Sequence, residues 1–379
     1  MSGPLASVVV TELAGIGPAP FCGMVLADLG AEVIRIDRPG GGSMPIGSVD
    51  GDVTNRGKSS IAVDLKNPEG VEVALSLIAR SHALIEGFRP GVTERLGIGP
   101  AVCLARNRSL VYGRMTGWGQ DGPMADMAGH DIDYIALSGV LHSIGPREDP
   151  VPPLNLVGDF GGGAMLLAVG VLAGIIHART SGEGQVVDAS MVDGSALLMA
   201  SHHGLMAGGW WQPRRSSNLL DGAAPFYTVY GTADGGHVAV GALEPQFFAV
   251  LVDRLGLRPE EVGAQHDRDR WPAMRELFRA RFEERSRDEW SALFDGTDAC
   301  VAPVLSMAEA GQHPHNRARG TFVDVEGVSQ PSPAPRFSAT TARIDRSPSR
   351  PGSDTDQVLT AAGFSQGEIG KLRGSGAIA

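Results

Sequence analysis

Five short apolar runs, interleaved with helical stretches, constrain this chain more than any other feature. They are SVVVTEL (7–13), AEVIRID (31–37), SSIAVDL (59–65), HALIEGF (82–88) and SLVYGRMTG (109–117). Their length and β-branched content predict buried strands. Helical patterns lie between them. One runs from Phe21 to a stop at Gly30, one opens with Asn67-Pro68-Glu69 as N-cap, N1 and N2, and one lies near 100–107. Such an alternation predicts a Rossmann-like α/β sheet.

From 130 to 210 the pattern turns helical. Residues 130–141 predict one helix, and a second, starting at Gly158, is apolar nearly all round, as in a helix buried centrally or against another chain. A strand at 185–191 and a helix over 192–206 follow. Near 225 the style changes to a β-hairpin turning at Asp234-Gly235-Gly236, with helices at 245–256, 271–284 and 287–295 and a strand at 300–306. The expected organisation is a large Rossmann-like domain over 1–200 and a smaller α+β domain over 225–325. A C-terminal segment, 330–379, returns to the large domain; it has an extended stretch over 329–353 and ends in a helical hairpin.

Composition removes several classes. A net charge of −11 argues against a general nucleic-acid surface. The longest apolar run, 164–176, has 13 residues, too few to span a bilayer, so no membrane partner is expected. Cys22, Cys103 and Cys300 are too far apart for a disulfide framework or a metal site. With no leader pattern at the start, this predicts a reducing, cytoplasmic setting and no metal.

The turn at 15–20, GIGPAP, sits where a dinucleotide fingerprint would stand, but its spacing is wrong and Pro18 and Pro20 lack amides. The pair Asp37-Arg38 is a weak dinucleotide signal by itself, so NAD is disfavoured. Arg38, Arg56, Lys58 and Arg89 fall at or near strand ends and suit an anionic ligand with several phosphates.

Two further segments carry chemistry. Gly129-His130-Asp131 and, 29 residues after the histidine, Asp159 before three glycines each stand at an expected helix start. A helix dipole disfavours imidazolium, so His130 suits a base. The glycines let a ligand approach backbone amides that can hold an enolate oxygen. Such a pair can take a proton from one face of a carbon and return one to the other. The plainer readings are a capping or core histidine and an N-cap aspartate. Glu244, in Leu243-Glu244-Pro245, is either a helix-start charge or a group that fixes the His130 tautomer.

Segments 15–40, 55–70, 84–100, 112–123, 129–141, 155–163, 224–230 and 242–248 resemble the family III CoA transferases. Within them they resemble the branch that racemises 2-methylacyl-CoA thioesters. The resemblance implies a Rossmann-like large domain, a smaller domain and an interlocked homodimer. It implies that CoA meets Arg38, Gly57, Lys58, Ser59, Arg89, Gly129, Asp131 and Tyr134. It makes His130 and Asp159 the acid/base pair and Glu244 the group that orients His130. Asn155 and Tyr227 match pocket positions, and Cys300 reaches the partner's site. The substrate is the CoA thioester, and no separate cofactor is implied. When His130 is the base, Asp159 must be neutral beforehand, which predicts a raised pKa. The alternative is a true CoA transferase, in which the matching aspartate forms an anhydride and then an aspartyl-CoA thioester. Those enzymes usually lack the histidine and the glutamate. A non-catalytic CoA-binding chain is disfavoured by the presence of all three residues. The stretch Leu205–Gly209 suits branched, aryl or short acyl groups alike.

Overall fold

A computed structural model describes residues 3–41 and 51–379. Two compact units emerge, one from residues 1–139, 153–199 and 317–379, the other from 140–152 and 200–316.

In the first unit six strands form one parallel sheet: β1 (Val9–Leu13), β2 (Glu32–Asp37), β3 (Lys58–Ala62), β4 (Ala83–Glu86), β5 (Val111–Thr116) and β6 (Gln185–Ser190). Their order is β3-β2-β1-β4-β5-β6, the doubly wound arrangement, which reverses direction between β1 and β4. Val10 faces Val33 on one side and Ala83 on the other. Both faces of β1–β5 are covered, which is why these five strands read as apolar runs rather than alternating ones, whereas the edge strand β6 is largely exposed. On one face Val10, Val33, Ile85 and Val111 pack with Cys22 and Leu26 of the Pro18–Asp28 helix and with Leu167 and Val171. On the other, Ile34, Ile61, Leu84 and Tyr112 pack with Leu77 and Ile78 of the Pro68–Ile78 helix. Leu359 and Ile369, from the helices Thr355–Ala361 and Gln366–Gly374, join this second face. The Asp354 carboxylate accepts the Ser60 N–H at 2.8 Å, tying the C-terminal segment to the edge strand β3. An unexpected short hairpin, Phe322–Val325 with Val328–Pro331, precedes that segment.

Local signals set most helix starts. The Asn67 side chain accepts the Glu69 N–H at 3.0 Å, with Pro68 at N1. The expected turn at 15–20 is shorter than read, because Pro18 itself opens the helix. The single helix expected over 130–141 is two, Asp131–Leu137 and Val140–Ser143, broken where Gly139 takes φ +85°. The helix expected over 192–206 likewise divides, into Met191–Leu198 and Ala200–Ala207.

The apolar helix runs from Leu156 to Ser181, 26 residues, so it is long and apolar enough to cross a bilayer, unlike the shorter apolar run inside it. Within its most apolar stretch 44% of residues are buried. Its first nine residues, Leu156–Ala164, are π-helical and the rest, Met165–Ser181, α-helical. At Gly174 an added Cβ would lie 2.8 Å from a Val111 methyl, so glycine lets this helix press onto β5.

The second unit carries an antiparallel sheet of β7 (Tyr227–Gly231), β8 (His237–Gly241) and β9 (Val301–Pro303). The helices Pro245–Arg254, Trp271–Phe282 and Arg287–Phe294 contribute to its aromatic core. Tyr230 stacks on Phe282 at 5.0 Å, and the buried polar tips are satisfied: Tyr230 Oη donates to the Pro225 carbonyl and Trp290 Nε1 to the Phe282 carbonyl.

Candidate active site

Ligands of doubly wound sheets bind beyond the carboxyl ends of the strands where the order reverses. Here that point lies between β1 and β4, where the chain leaves β1 through Gly17 (φ +71°) and leaves β4 toward Arg89.

Asp159 comes to this point on the π-helical turn. A Cβ on Gly17 would stand 3.4 Å from Asp159 Oδ2, so the Gly17 backbone lies alongside the carboxylate. The next residue, Phe160, stacks on Phe21 at 4.6 Å and fixes the turn against the Pro18–Asp28 helix. Asp159 is therefore not the N-cap that its sequence context suggests. Asn155 holds that position, and its Nδ2 donates to Asp159 Oδ2 at 3.0 Å. The Asp159 N–H donates to Asp131 Oδ1 at 2.6 Å. A Cβ on Gly158 would stand 2.5 Å from that oxygen, so only glycine permits the approach. Burial pushes the Asp159 carboxyl above the usual carboxylate range, and the Asp131 charge adds to this. The Asn155 hydrogen bond and the His130 charge act the other way.

His130 is the N-cap residue of the Asp131–Leu137 helix. Its N–H donates to the Asp133 carboxylate at 2.9 Å, while its side chain is exposed. It is thus a helix-start residue, and near enough to Asp159 for its charge to act there. Asp131 is buried, and its Oδ2 has no hydrogen-bond partner among the described residues. Tyr134 packs edge-on against Trp118 at 4.7 Å, over Gly117 and Gly129. Its phenol is pushed up to about 12, first by burial and then by the Asp159 charge, with Arg89 opposing. One region therefore gathers Asn155, Asp159, His130, Asp131, Tyr134 and Arg89.

The four expected anion-binding cations divide into two kinds. Arg38 and Arg89 are exposed, without an ion-pair partner among the described residues. Arg56 and Lys58 are buried and committed elsewhere. Arg56 pairs with Asp28 at 2.6 Å. The Lys58 ammonium, fully buried, donates to Glu12 and to the Pro20 carbonyl, both at 2.8 Å. The expectation that these side chains meet a ligand is corrected: each satisfies a buried carboxylate that would otherwise be orphaned. Gly57 and Ser59 are engaged by the C-terminal segment, through the Arg346 carbonyl and guanidinium respectively. Asp37 is paired with Arg35 at 2.7 Å, which removes it as a ribose acceptor.

In the second unit Tyr227, Glu244 and Cys300 share one end of the small sheet. Tyr227 pairs with Gly241, whose N–H donates to the Cys300 carbonyl at 2.9 Å. Glu244 is the N-cap residue of the Pro245–Arg254 helix. The exposed Cys300 thiol is pushed up by partial burial and then by the Glu244 charge, and its backbone takes φ +53°. Sequence reasoning missed the hydrogen bond from Asp159 to Asp131, because no local spacing links residues on two separate helices.

Residues 5–355 match CoA-transferase family III. An alpha-methylacyl-CoA racemase of Mus musculus is 48% identical over 372 residues, covering 97% of this chain and 96% of that one. Its Homo sapiens counterpart is 45% identical, with the same coverage. A succinyl-CoA:glutarate CoA-transferase of Homo sapiens is 29% identical, covering 99% of this chain and 90% of that one. A crystal structure of a CAIB/BAIF family protein from Brucella suis shares the fold, with a TM-score of 0.81 at 24% identity, covering 96% of this chain and all of that one. With the family matched over nearly its whole length, this chain belongs to CoA-transferase family III.

Proposed function

We propose that this chain racemises 2-methylacyl-CoA thioesters by 1,1-proton transfer, with His130 and Asp159 as the acid/base pair. The observation that carries the reading is the state of Asp159. Its carboxyl is half-buried, held by the Asn155 amide and raised in pKa, as a proton donor requires, while its backbone N–H is fixed on Asp131. The two relatives at 48% and 45% identity carry the racemase name.

In one direction His130 removes the α-proton, which the thioester carbonyl acidifies. Negative charge moves to the carbonyl oxygen, which backbone amides exposed by the glycines after Asp159 would hold. Protonated Asp159 then delivers its proton to the opposite face. In the other direction the roles exchange. Asn155 lines the acyl pocket. Arg38 and Arg89 take the CoA anions. The chain carries both His130 and Glu244, which true transferases of the family usually lack, and this favours the racemase reading over an aspartyl-CoA intermediate.

The working form is a homodimer. The Leu156–Ser181 helix leaves Leu156, Met165, Val169 and Ile176 exposed, an apolar face that a second copy of the chain would cover. The three unpaired cysteines fit a reducing compartment such as the cytoplasm.

Proton NMR of a single-enantiomer 2-methylacyl-CoA in deuterated water tests the chemistry. Loss of the α-proton signal with inversion is expected, and His130→Ala and Asp159→Ala should each abolish it while CoA-ester binding persists. No exchange, followed by CoA movement once a carboxylic acid is added, would instead make Asp159 a nucleophile.

A further inference from the structure

Arg114 is a buried cation that the acid/base chemistry does not use. It stands on β5, 7% exposed, and its guanidinium joins two separate segments. Its Nε donates to Glu86 Oε1, at the end of β4, at 2.9 Å. Its Nη1 donates to Glu94 Oε1, in the short helix Val92–Arg95, at 2.8 Å. The other Glu86 oxygen accepts the Phe88 N–H at 2.7 Å. Glu86 has no exposed surface, Thr93 is equally buried, and the Tyr112 ring lies 5.8 Å from the guanidinium carbon. The chain between Gly87 and Gly91 is therefore fastened at both ends to one side chain. At Gly87 an added Cβ would stand 3.3 Å from the Ala19 Cβ, so this loop starts pressed on the Pro18–Asp28 helix. Arg89 sits within it, exposed.

Burying one guanidinium with carboxylates is weak evidence of a purely stabilising role, since apolar packing would serve as well. What a planar fork supplies, and leucine or lysine does not, is fixed geometry between two carboxylates at once.

We propose that Glu86, Arg114 and Glu94 form a clamp that positions the 87–91 loop so that Arg89 receives an anionic group of the substrate's CoA moiety. These are positioning residues for binding and take no part in proton transfer. The inference rests on the reading of Arg89 as a CoA contact, and the experiment separates the two.

Arg114→Lys keeps the charge and loses the fork; Arg89→Ala removes the contact itself. Both variants and the double variant are titrated with CoA and assayed with the full CoA thioester and with an N-acetylcysteamine thioester that lacks the phosphates. Arg114→Lys should raise Kd and KM about tenfold with kcat within about twofold, leave the truncated thioester unaffected, and add nothing in the Arg89→Ala background. Glu94→Gln, at the half-exposed end, gives a smaller loss in the same direction and serves if Arg114→Lys does not fold. If Arg89→Ala leaves Kd unchanged, the Arg89 reading fails and the clamp falls with it. If Arg89→Ala weakens binding while both clamp variants bind normally, or their losses multiply with that of Arg89→Ala, the clamp is wrong and Arg89 stands.

Discussion

Replacing Asp131 tests whether the acid/base pair is set by a neighbour that touches no reacting atom. Asp159 sits in the first turns of the π-helix, where N–H groups have no partner within the helix, and its N–H donates to Asp131 Oδ1 at 2.6 Å. A hydrogen bond to a charged acceptor contributes about 1.5–3 kcal/mol. Asp131→Ala should therefore cost roughly tenfold to a hundredfold in kcat, at about 1.4 kcal/mol per factor of ten, if that bond holds Asp159 in its productive position. Asp131→Asn keeps an acceptor and should lose several-fold less. It also removes a charge that raises the Asp159 pKa, so the carboxyl titration in the kcat profile should move to lower pH. The assay is α-proton exchange in deuterated water across pH, with CoA-ester Kd measured in parallel. An Asp131→Ala enzyme with kcat within about twofold of the parent would refute the reasoning.

Glu86 gives a second, independent signature. Desolvation lifts its carboxyl from 4.5 to about 7, against the opposing Phe88 N–H and Arg114 and with the nearby Glu94 charge adding to it. Between those values the folded state holds a proton that the unfolded state has lost, so stability falls as pH rises through this window. At about 1.4 kcal/mol per pH unit the fall from this group is roughly 3 kcal/mol. Urea titrations from pH 4 to 8 should show it, and Glu86→Gln should flatten the slope; an unchanged slope would mean that Glu86 ionises normally. Gly117→Ala should cost about 1–3 kcal/mol in the same titrations, since the new methyl would stand 2.1 Å from the rigid Tyr134 ring. Gly204→Ala, in a helix where an added Cβ would have none of the described residues' side chains within 4 Å, is the control and should gain up to about 1 kcal/mol.

The first five strands of the sheet were legible because each is short, largely apolar and mostly buried, so Val9–Leu13 or Ala83–Glu86 stands out from the polar turns that bound it. Helix starts were legible where a capping side chain or a proline acts within three residues, as at Asn67-Pro68. What escaped depends on groups far apart in sequence. Nothing near Lys58 shows that its ammonium lies against Glu12, 46 residues away, rather than against a ligand. Nothing near Asp159 shows that the residue satisfying its N–H is Asp131, 28 residues earlier. The break at Gly139 was missed because apolar spacing continues across it, while the backbone does not. The raised Asp159 pKa was expected from the role of a donor, and the structure supplies its cause in burial.

The π-helical segment has a consequence for insertions and deletions. Each residue of an α-helix advances the chain by about 100° around the axis. The hydrogen-bonded rings of Leu156–Ala164 are one residue wider than those of the α-helix that continues it. Removing any one of Gly161, Gly162 or Gly163 would let the segment return to the ordinary pitch with its backbone bonds intact. Because a wider ring turns by a smaller angle per residue, the shortened segment at ordinary pitch would span nearly the same rotation as now, and Asp159 would keep its heading toward Asn155 and Asp131. The helix beyond it would stay seated, with Gly174 against Val111. The wide rings thus hold one residue in reserve: a single deletion here should leave the site in place, whereas a second, with no wide ring left to close, should turn Asp159 by about a quarter-turn and disarm the site.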